Sequence, residues 1–327
     1  MDAHELLDPF ERLLGDISPP ARVREIEAGA SPKALWEPLA ESGFLDALTP
    51  ESAGGAGLSL AQAAPLLQAL GRHAVPVPAA ETMVARALLG EAGVEAPEGP
   101  IVLATCTGPA AAPTPLALTA SHALVQRGER LVLASLADET IQATGARDGL
   151  AGVVALAADA AGPTLPAPEA GLRAVAAVVR AAAIAGAADR LLEMSVSYAN
   201  ARTQFGKPIG RQQAIQQQLA VMAEQVVAAR IAAQIGCAGG LGTSVGAAAV
   251  AKHSASLAAV QIARIAHAVH GAIGVSEEYD LQLYTRRLYD WRLADGSEAY
   301  WAEVLGARRL AAADRGSVDF LREHTAP

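Results

Sequence analysis

Three long, apolar, alanine-rich stretches in the second half of the chain constrain its fold more than any other feature. They run over residues 172 to about 202, 211 to about 237 and 244 to about 270. Alanine costs least in a helix interior, because it has no side-chain freedom to lose there. Helices of this length joined by short connections must lie as antiparallel neighbours, so the pattern predicts a bundle. The uncharged stretch 231–251 carries Gly239-Gly240-Leu241-Gly242-Thr243-Ser244 in its middle and Gln234 near its start. It therefore reads as a turn between two helices and not as a membrane span. Two shorter helices are expected over about 277–290 and 298–313.

The first half divides in two. Residues 1–96 alternate helical patterns with turn signals. One helix is expected over 34–42, ending at Gly43. Another runs from Leu60 to about Leu70, capped by Ser59, kinked at Pro65 and stopped by Gly71. Residues 97–168 instead hold short apolar runs (101–104, 123–125, 130–134 and 152–157) between Gly, Pro, Thr and charged residues. These read as strands of a small β-domain. The expected organisation is an N-terminal helical domain over 1–96, a reduced middle β-domain over 97–168 and a C-terminal helical bundle over 169–327.

Composition narrows the function. A net charge of −9 argues against a nucleic-acid surface, which needs a basic excess. Cys106 and Cys237 are the two cysteines; they lie far apart with no CxxC or Cys/His spacing, which argues against a zinc site or a disulfide framework. The opening MDAHELLDPFERLL has acids and no apolar core of a signal peptide. A cytoplasmic protein without metal, membrane or nucleic-acid partner is the expectation.

Four local motifs, in order, carry a resemblance. LWEPLAESGFLDALTPESAGGAGLSLAQAAPLLQAL (35–70), YANARTQFGKPIGRQQAIQQQL (198–219), HGAIG (270–274) and LYDWRLADGS (288–297) resemble successive segments of acyl-CoA dehydrogenases. The resemblance implies a mainly helical fold of two helical domains around a small β-domain. It also implies FAD as cofactor, an acyl-CoA thioester as substrate, and electron-transfer flavoprotein as electron acceptor. The assembly would be a homo- or hetero-oligomer, a dimer or tetramer. The chemistry is proton removal α to the thioester carbonyl with hydride transfer from the β carbon to the flavin.

By the same resemblance, Asp295 stands where the family places its catalytic glutamate, in Asp295-Gly296-Ser297. Its other reading is a helix cap with Glu298 three residues on. No acid stands at 175–178, where some relatives carry the base instead, so Asp295 has no rival there. Arg202 matches the arginine that meets the FAD diphosphate, typically of a neighbouring subunit; otherwise it is a cation at a helix C-terminus. Phe205 matches a contact on the adenine side, or else is a core aromatic; Gln213 matches the glutamine that follows the turn, with the same two kinds of reading. Gly271 and Gly274 suit a backbone close to the dinucleotide, or a helix C-cap and turn. Ser297 takes the place of a hydroxyl that contacts the cofactor, or serves as an N-cap. His267 and His270 read as packed or surface residues.

The chain also departs from the family. Ala272 replaces a second consecutive glycine, and Ala268 a frequent glutamine. No tryptophan occurs between Trp36 and Trp291, and the β-zone is short. Thr105 and Thr107 are the nearest to flavin-ring donors there. Aspartate is one methylene shorter than glutamate, and a displacement of about 1 Å can cost on the order of 10²-fold in rate. These departures resemble the short subunits of heteromeric bacterial members that act on steroid side-chain thioesters, with part of the flavin site supplied by another chain. The alternatives are a catalytically weak or inactive structural subunit and a flavin oxidase of the same fold.

Overall fold

The computed structural model describes residues 3–107, 110–111, 113–136, 141–145, 149–155, 162–312 and 314–325. Five helices open the chain: α1 (Ala3–Ile17), α2 (Pro20–Glu27), α3 (Lys33–Glu41), α4 (Leu60–Arg72) and α5 (Ala79–Glu91). Ser59 caps α4 as its sequence suggests. Its Oγ accepts from Gln62 N at 3.2 Å, while Gln62 Oε1 accepts from Ser59 N at 2.9 Å, so two orphan amides are satisfied reciprocally.

One expectation about α4 is corrected. The helix runs through Pro65 to Arg72, and Gly71 does not stop it. Gly71 is instead a contact point with the long helix α6 (Leu172–Ala201). A Cβ on Gly71 would meet Ala183 O at 2.1 Å, and one on Gly186 would meet Gln68 O at 1.8 Å. The two helices approach so closely that only a hydrogen fits between their backbones at either crossing point.

The middle of the chain forms two small sheets. Strands β1 (Ile101–Thr107), β2 (Ala110–Ala111), β4 (His122–Arg127), β5 (Arg130–Ser135) and β8 (Thr164–Pro166) assemble in the order β2-β1-β4-β5-β8. β1 and β4 pair in parallel with Ile101 opposite His122, and β4 and β5 form a hairpin with Arg127 opposite Arg130. Strands β3 (Pro113–Thr114), β6 (Ile141–Ala143) and β7 (Gly152–Val154) form the second sheet in the order β3-β7-β6. The expected strand over 152–157 thus ends at Val154, and residues 156–157 lie outside the described residues.

The bundle follows. α6 is joined to α7 (Gln213–Ala238) by a hairpin of β9 (Thr203–Gln204) and β10 (Lys207–Pro208). α8 (Val245–His270), α9 (Leu281–Leu293), α10 (Glu298–Ala311) and α11 (Ser317–Thr325) complete it. α9 starts and ends later than its sequence pattern suggests. α6, α7 and α8 pack on one another, α4 packs on α6, and α9 and α10 pack on α8. α6 is buried along almost its whole first half, which is why that half is mostly alanine, valine and isoleucine. By length and composition α7 and α8 could each cross a membrane, yet both pack against α6 as arms of the bundle.

Candidate active site

The turn between α9 and α10 presents Asp295 to the centre of the fold. Asp295 has φ +57°, a left-handed conformation in which a residue with a Cβ is disfavoured, though aspartate less than most. Its side chain is only 7% exposed, and Oδ2 accepts from Arg180 Nε at 3.2 Å. Arg180, on α6, donates through Nη2 to Glu81 Oε1 of α5 at 2.6 Å, and its guanidinium lies 5.7 Å from the centre of the Trp291 ring. One buried cation thus joins two buried carboxylates from distant parts of the chain. Burial opposes the charge on Arg180, but Glu81 and Asp295 outweigh it and hold its pKa above the ordinary arginine value.

Asp295 is not a helix cap. Ser297 holds that position, its Oγ accepting from Tyr300 N at 3.3 Å, while Glu298 turns back to Arg292 Nε at 2.9 Å. The capping reading of Asp295 with Glu298 is therefore wrong, and the N-cap reading of Ser297 describes what its side chain does. Behind the turn lies Lys252 of α8, fully buried. Its Nζ donates to Arg292 O at 2.8 Å, Gly296 O at 2.9 Å and Ser256 Oγ at 3.0 Å. Burial pushes the Lys252 pKa down to about 7, against the opposing pull of Asp295.

Asp295 forms part of the wall of a cavity of about 460 Å³ between the β-strands and the bundle. Thr105, Pro113 and Thr144 face it from one side, and Arg173, Asp290 and Asp295 from the other. Asp290 is a second carboxylate on this wall, which the sequence pattern did not mark. It makes no side-chain hydrogen bond among the described residues, and burial pushes its pKa up against the pull of Arg286 and Arg287. A larger cavity of about 760 Å³ lies apart from these groups, between residues 48–60, β8 and the α7–α8 turn.

The remaining candidates gather at the other end of the bundle. Arg202 follows the last turn of α6, exposed and in no ion pair among the described residues. Phe205 sits at the tip of the β9–β10 hairpin with φ +52° and 91% of its surface exposed. Gln213 opens α7 and is exposed. Gly271 ends α8 at φ +61°, and no atom lies within 4 Å of where a Cβ would stand; Gly274 is buried against His270 and Leu281. The His270 ring stacks on Tyr198 of α6 at 4.5 Å, which brings the glycine turn beside the Arg202 segment. His267 and His270 are packing residues: burial holds both below the ordinary histidine pKa.

These two groups do not meet within one chain. Positions 180 and 202 are separated along α6 by roughly 33 Å at about 1.5 Å per residue, and Lys252 and His270 along α8 by roughly 27 Å. Asp295 and Ser297 stand at one level; Arg202, Phe205, Gln213, Gly271 and Gly274 stand at the other. Glu81, Arg180 and Lys252 show in the sequence only as lone charges inside apolar helices. That is the signal that could have found them, because an ionised group in such a place must have partners.

Comparison with known proteins agrees with this architecture. The family model for the acyl-CoA dehydrogenase C-terminal domain matches residues 173–310, and that for the N-terminal domain matches residues 4–97. The chain belongs to the acyl-CoA dehydrogenase family and is an oxidoreductase. It is 32% identical over 289 residues to acyl-CoA dehydrogenase IpdE2 of Mycobacterium tuberculosis, across 83% of this chain and 85% of that protein. A variant of the Tcur3481–Tcur3483 steroid ACAD superposes with a TM-score of 0.80 at 27% identity, covering 96% of this chain and 99% of that one. The ChsE4–ChsE5 complex from Mycobacterium tuberculosis shares the fold, with a TM-score of 0.77 at 22% identity over 95% and 97% of the two chains.

Proposed function

We propose that the chain is one subunit of an FAD-dependent acyl-CoA dehydrogenase in which Asp295 removes the proton α to the thioester carbonyl. The observation that carries this is the placement of the Asp295 carboxylate. Oδ2 is fixed by Arg180, and Oδ1 makes no hydrogen bond among the described residues on the wall of the cavity beneath the β-strands. A carboxylate with one oxygen held and the other available is oriented for proton transfer. When bound, FAD supplies the acceptor for the hydride that leaves the β carbon.

The residues fit such a cofactor in two halves. Exposed Arg202 offers a planar set of donors to a diphosphate, exposed Phe205 offers a ring face, and Gly271 leaves space for a backbone approach. By helical rise, Arg202 stands roughly 33 Å along α6 from Arg180, the residue that holds Asp295. We therefore infer that the Arg202 end serves a cofactor bound mainly by a neighbouring subunit, and that Asp295 faces a cofactor whose tail another chain holds. Likeness to a steroid ACAD and to a complex of two different chains supports a hetero-oligomer acting on a bulky, steroid-derived acyl-CoA. Electron-transfer flavoprotein is the acceptor this reading entails, and the cytoplasm its compartment.

A second reading is favoured by the Arg180 contact itself. A buried carboxylate held by a buried guanidinium also serves as an ion pair that fixes the turn to α6, which suits a structural subunit that supports an active partner. Asp295→Asn separates the two, since asparagine tolerates the left-handed backbone that alanine resists. In the assembled enzyme, loss of acyl-CoA turnover with FAD retained supports the base. Unchanged turnover supports the structural subunit.

A further inference from the structure

We propose that Lys252 is a positioning residue that holds Asp295 in its working place, a role that rests on Asp295 being the base. The argument begins with the backbone. Asp295 occupies a left-handed conformation between Ala294 and Gly296, and such a conformation persists in a residue with a Cβ only when its surroundings fix it. Two side chains do so. Lys252 Nζ donates to the carbonyls of Arg292 and Gly296, which bracket Asp295 in the sequence. Trp301 Nε1 donates to the carbonyl of Asp295 itself at 3.1 Å. Of these, only Lys252 reaches both sides of the residue and ties the turn to a helix of the bundle, α8.

The lysine does not sit there for packing. A fully buried ammonium is costly, and an apolar residue would fill the same space without that cost. Its three donors match three acceptors, Arg292 O, Gly296 O and Ser256 Oγ, with none left over. The arrangement also survives loss of a proton. A neutral amine keeps two N–H groups for the two carbonyls and takes the Ser256 hydroxyl as donor in place of acceptor. Ser256 Oγ lies 3.3 Å from Arg292 O and would otherwise be that carbonyl's remaining partner. Gly296 O has no other hydrogen bond among the described residues.

The test uses the assembled holoenzyme and two readouts, steady-state kinetics with acyl-CoA and the indole N–H resonance of Trp301, assigned through Trp301→Phe. Lys252→Met keeps the length of the side chain and removes its donors. We expect FAD content and oligomer mass to be unchanged, kcat to fall on the order of 10- to 100-fold as the carboxylate drifts, and KM to stay within about twofold. The Trp301 resonance should shift, because its acceptor moves with the turn. If Lys252→Met does not assemble, Lys252→Gln carries the same readouts with one carbonyl bond kept, and an intermediate loss of kcat is expected. Failure of both variants to assemble would make Lys252 a folding residue and overturn the proposal. So would an unchanged kcat with an unmoved Trp301 signal. Asp295→Asn run in parallel keeps the two ideas apart. If it leaves turnover intact, the base reading has failed, while the Trp301 shift in Lys252→Met still reports whether the lysine holds the turn.

Discussion

Arg180 Nε donates to Asp295 Oδ2 at 3.2 Å, and that one contact ties the middle of α6 to the turn that precedes α10. Because Arg180 also holds Glu81 of α5, the N-terminal helices, the bundle and the candidate base share a single buried cation. Arg180→Met leaves two buried carboxylates without it, and breaking a buried pair in this way costs about 3–5 kcal/mol. Glu81→Gln leaves Arg180 its pair with Asp295 and is expected to cost less. Urea unfolding of the two variants beside the wild type measures both, and equal stabilities would show that the cluster carries no energetic weight.

Two carboxylates on one cavity wall call for a direct comparison. Asp295 is fixed by Arg180, whereas Asp290 has no side-chain hydrogen bond among the described residues and a pKa raised by burial. With Asp295 as the base, Asp295→Asn lowers kcat by about 10²- to 10⁴-fold, the usual reach of general-base catalysis. Asp290→Asn then lowers it by less than about tenfold. The opposite ranking, read from kcat over a range of pH, would assign the proton transfer to Asp290.

Lys252 gives the folded chain a pH dependence of known sign. Its pKa is about 7 when folded and near 10.5 when unfolded. Between those values the unfolded chain holds a proton that the folded chain has released, so this group makes stability rise with pH, by at most about 1.4 kcal/mol per pH unit. Below about pH 7 both states carry the proton and the full cost of burying an ammonium remains. The groups that set the folded value are Asp295 and Glu298, which raise it, and Arg180 and Arg292, which lower it, all against the dominant effect of burial. Thermal unfolding of wild type and Lys252→Met from pH 7 to pH 9, below the range in which buried Cys237 acts in the opposite direction, should show the Lys252 rise only in the wild type.

The helices and strands were legible because their patterns are local. Alanine content and the Gly239–Gly242 break define α7 and α8, and Ser59 and Ser297 cap the helices they precede. What the sequence hid depends on contacts between distant segments. Gly71 resembles a helix stop until α6 is laid across it, since nothing near it in the chain announces Ala183. Asp295 reads as base or as cap until Arg180, 115 positions earlier, is seen to take its carboxylate. The resemblance already set Arg202 against a cofactor typically held by a neighbouring subunit. The helical rise between Arg180 and Arg202 adds the distance that separates it from Asp295 within this chain.

That separation makes the β9–β10 hairpin the most direct probe of a shared cofactor. Phe205 exposes 91% of its surface at the hairpin tip, and Arg202 beside it is exposed as well. Neither has much to lose in the isolated chain, so Phe205→Ser and Arg202→Gln should each change its unfolding free energy by no more than about 0.5 kcal/mol. In the assembled enzyme, loss of the charged donors to a diphosphate or of the ring face should weaken FAD retention about tenfold or more, read from flavin absorbance after dialysis. Arg202→Lys keeps the charge without the planar fork and should fall between wild type and Arg202→Gln. Full retention in all three variants would place the cofactor tail elsewhere and leave the hairpin without a role in binding it.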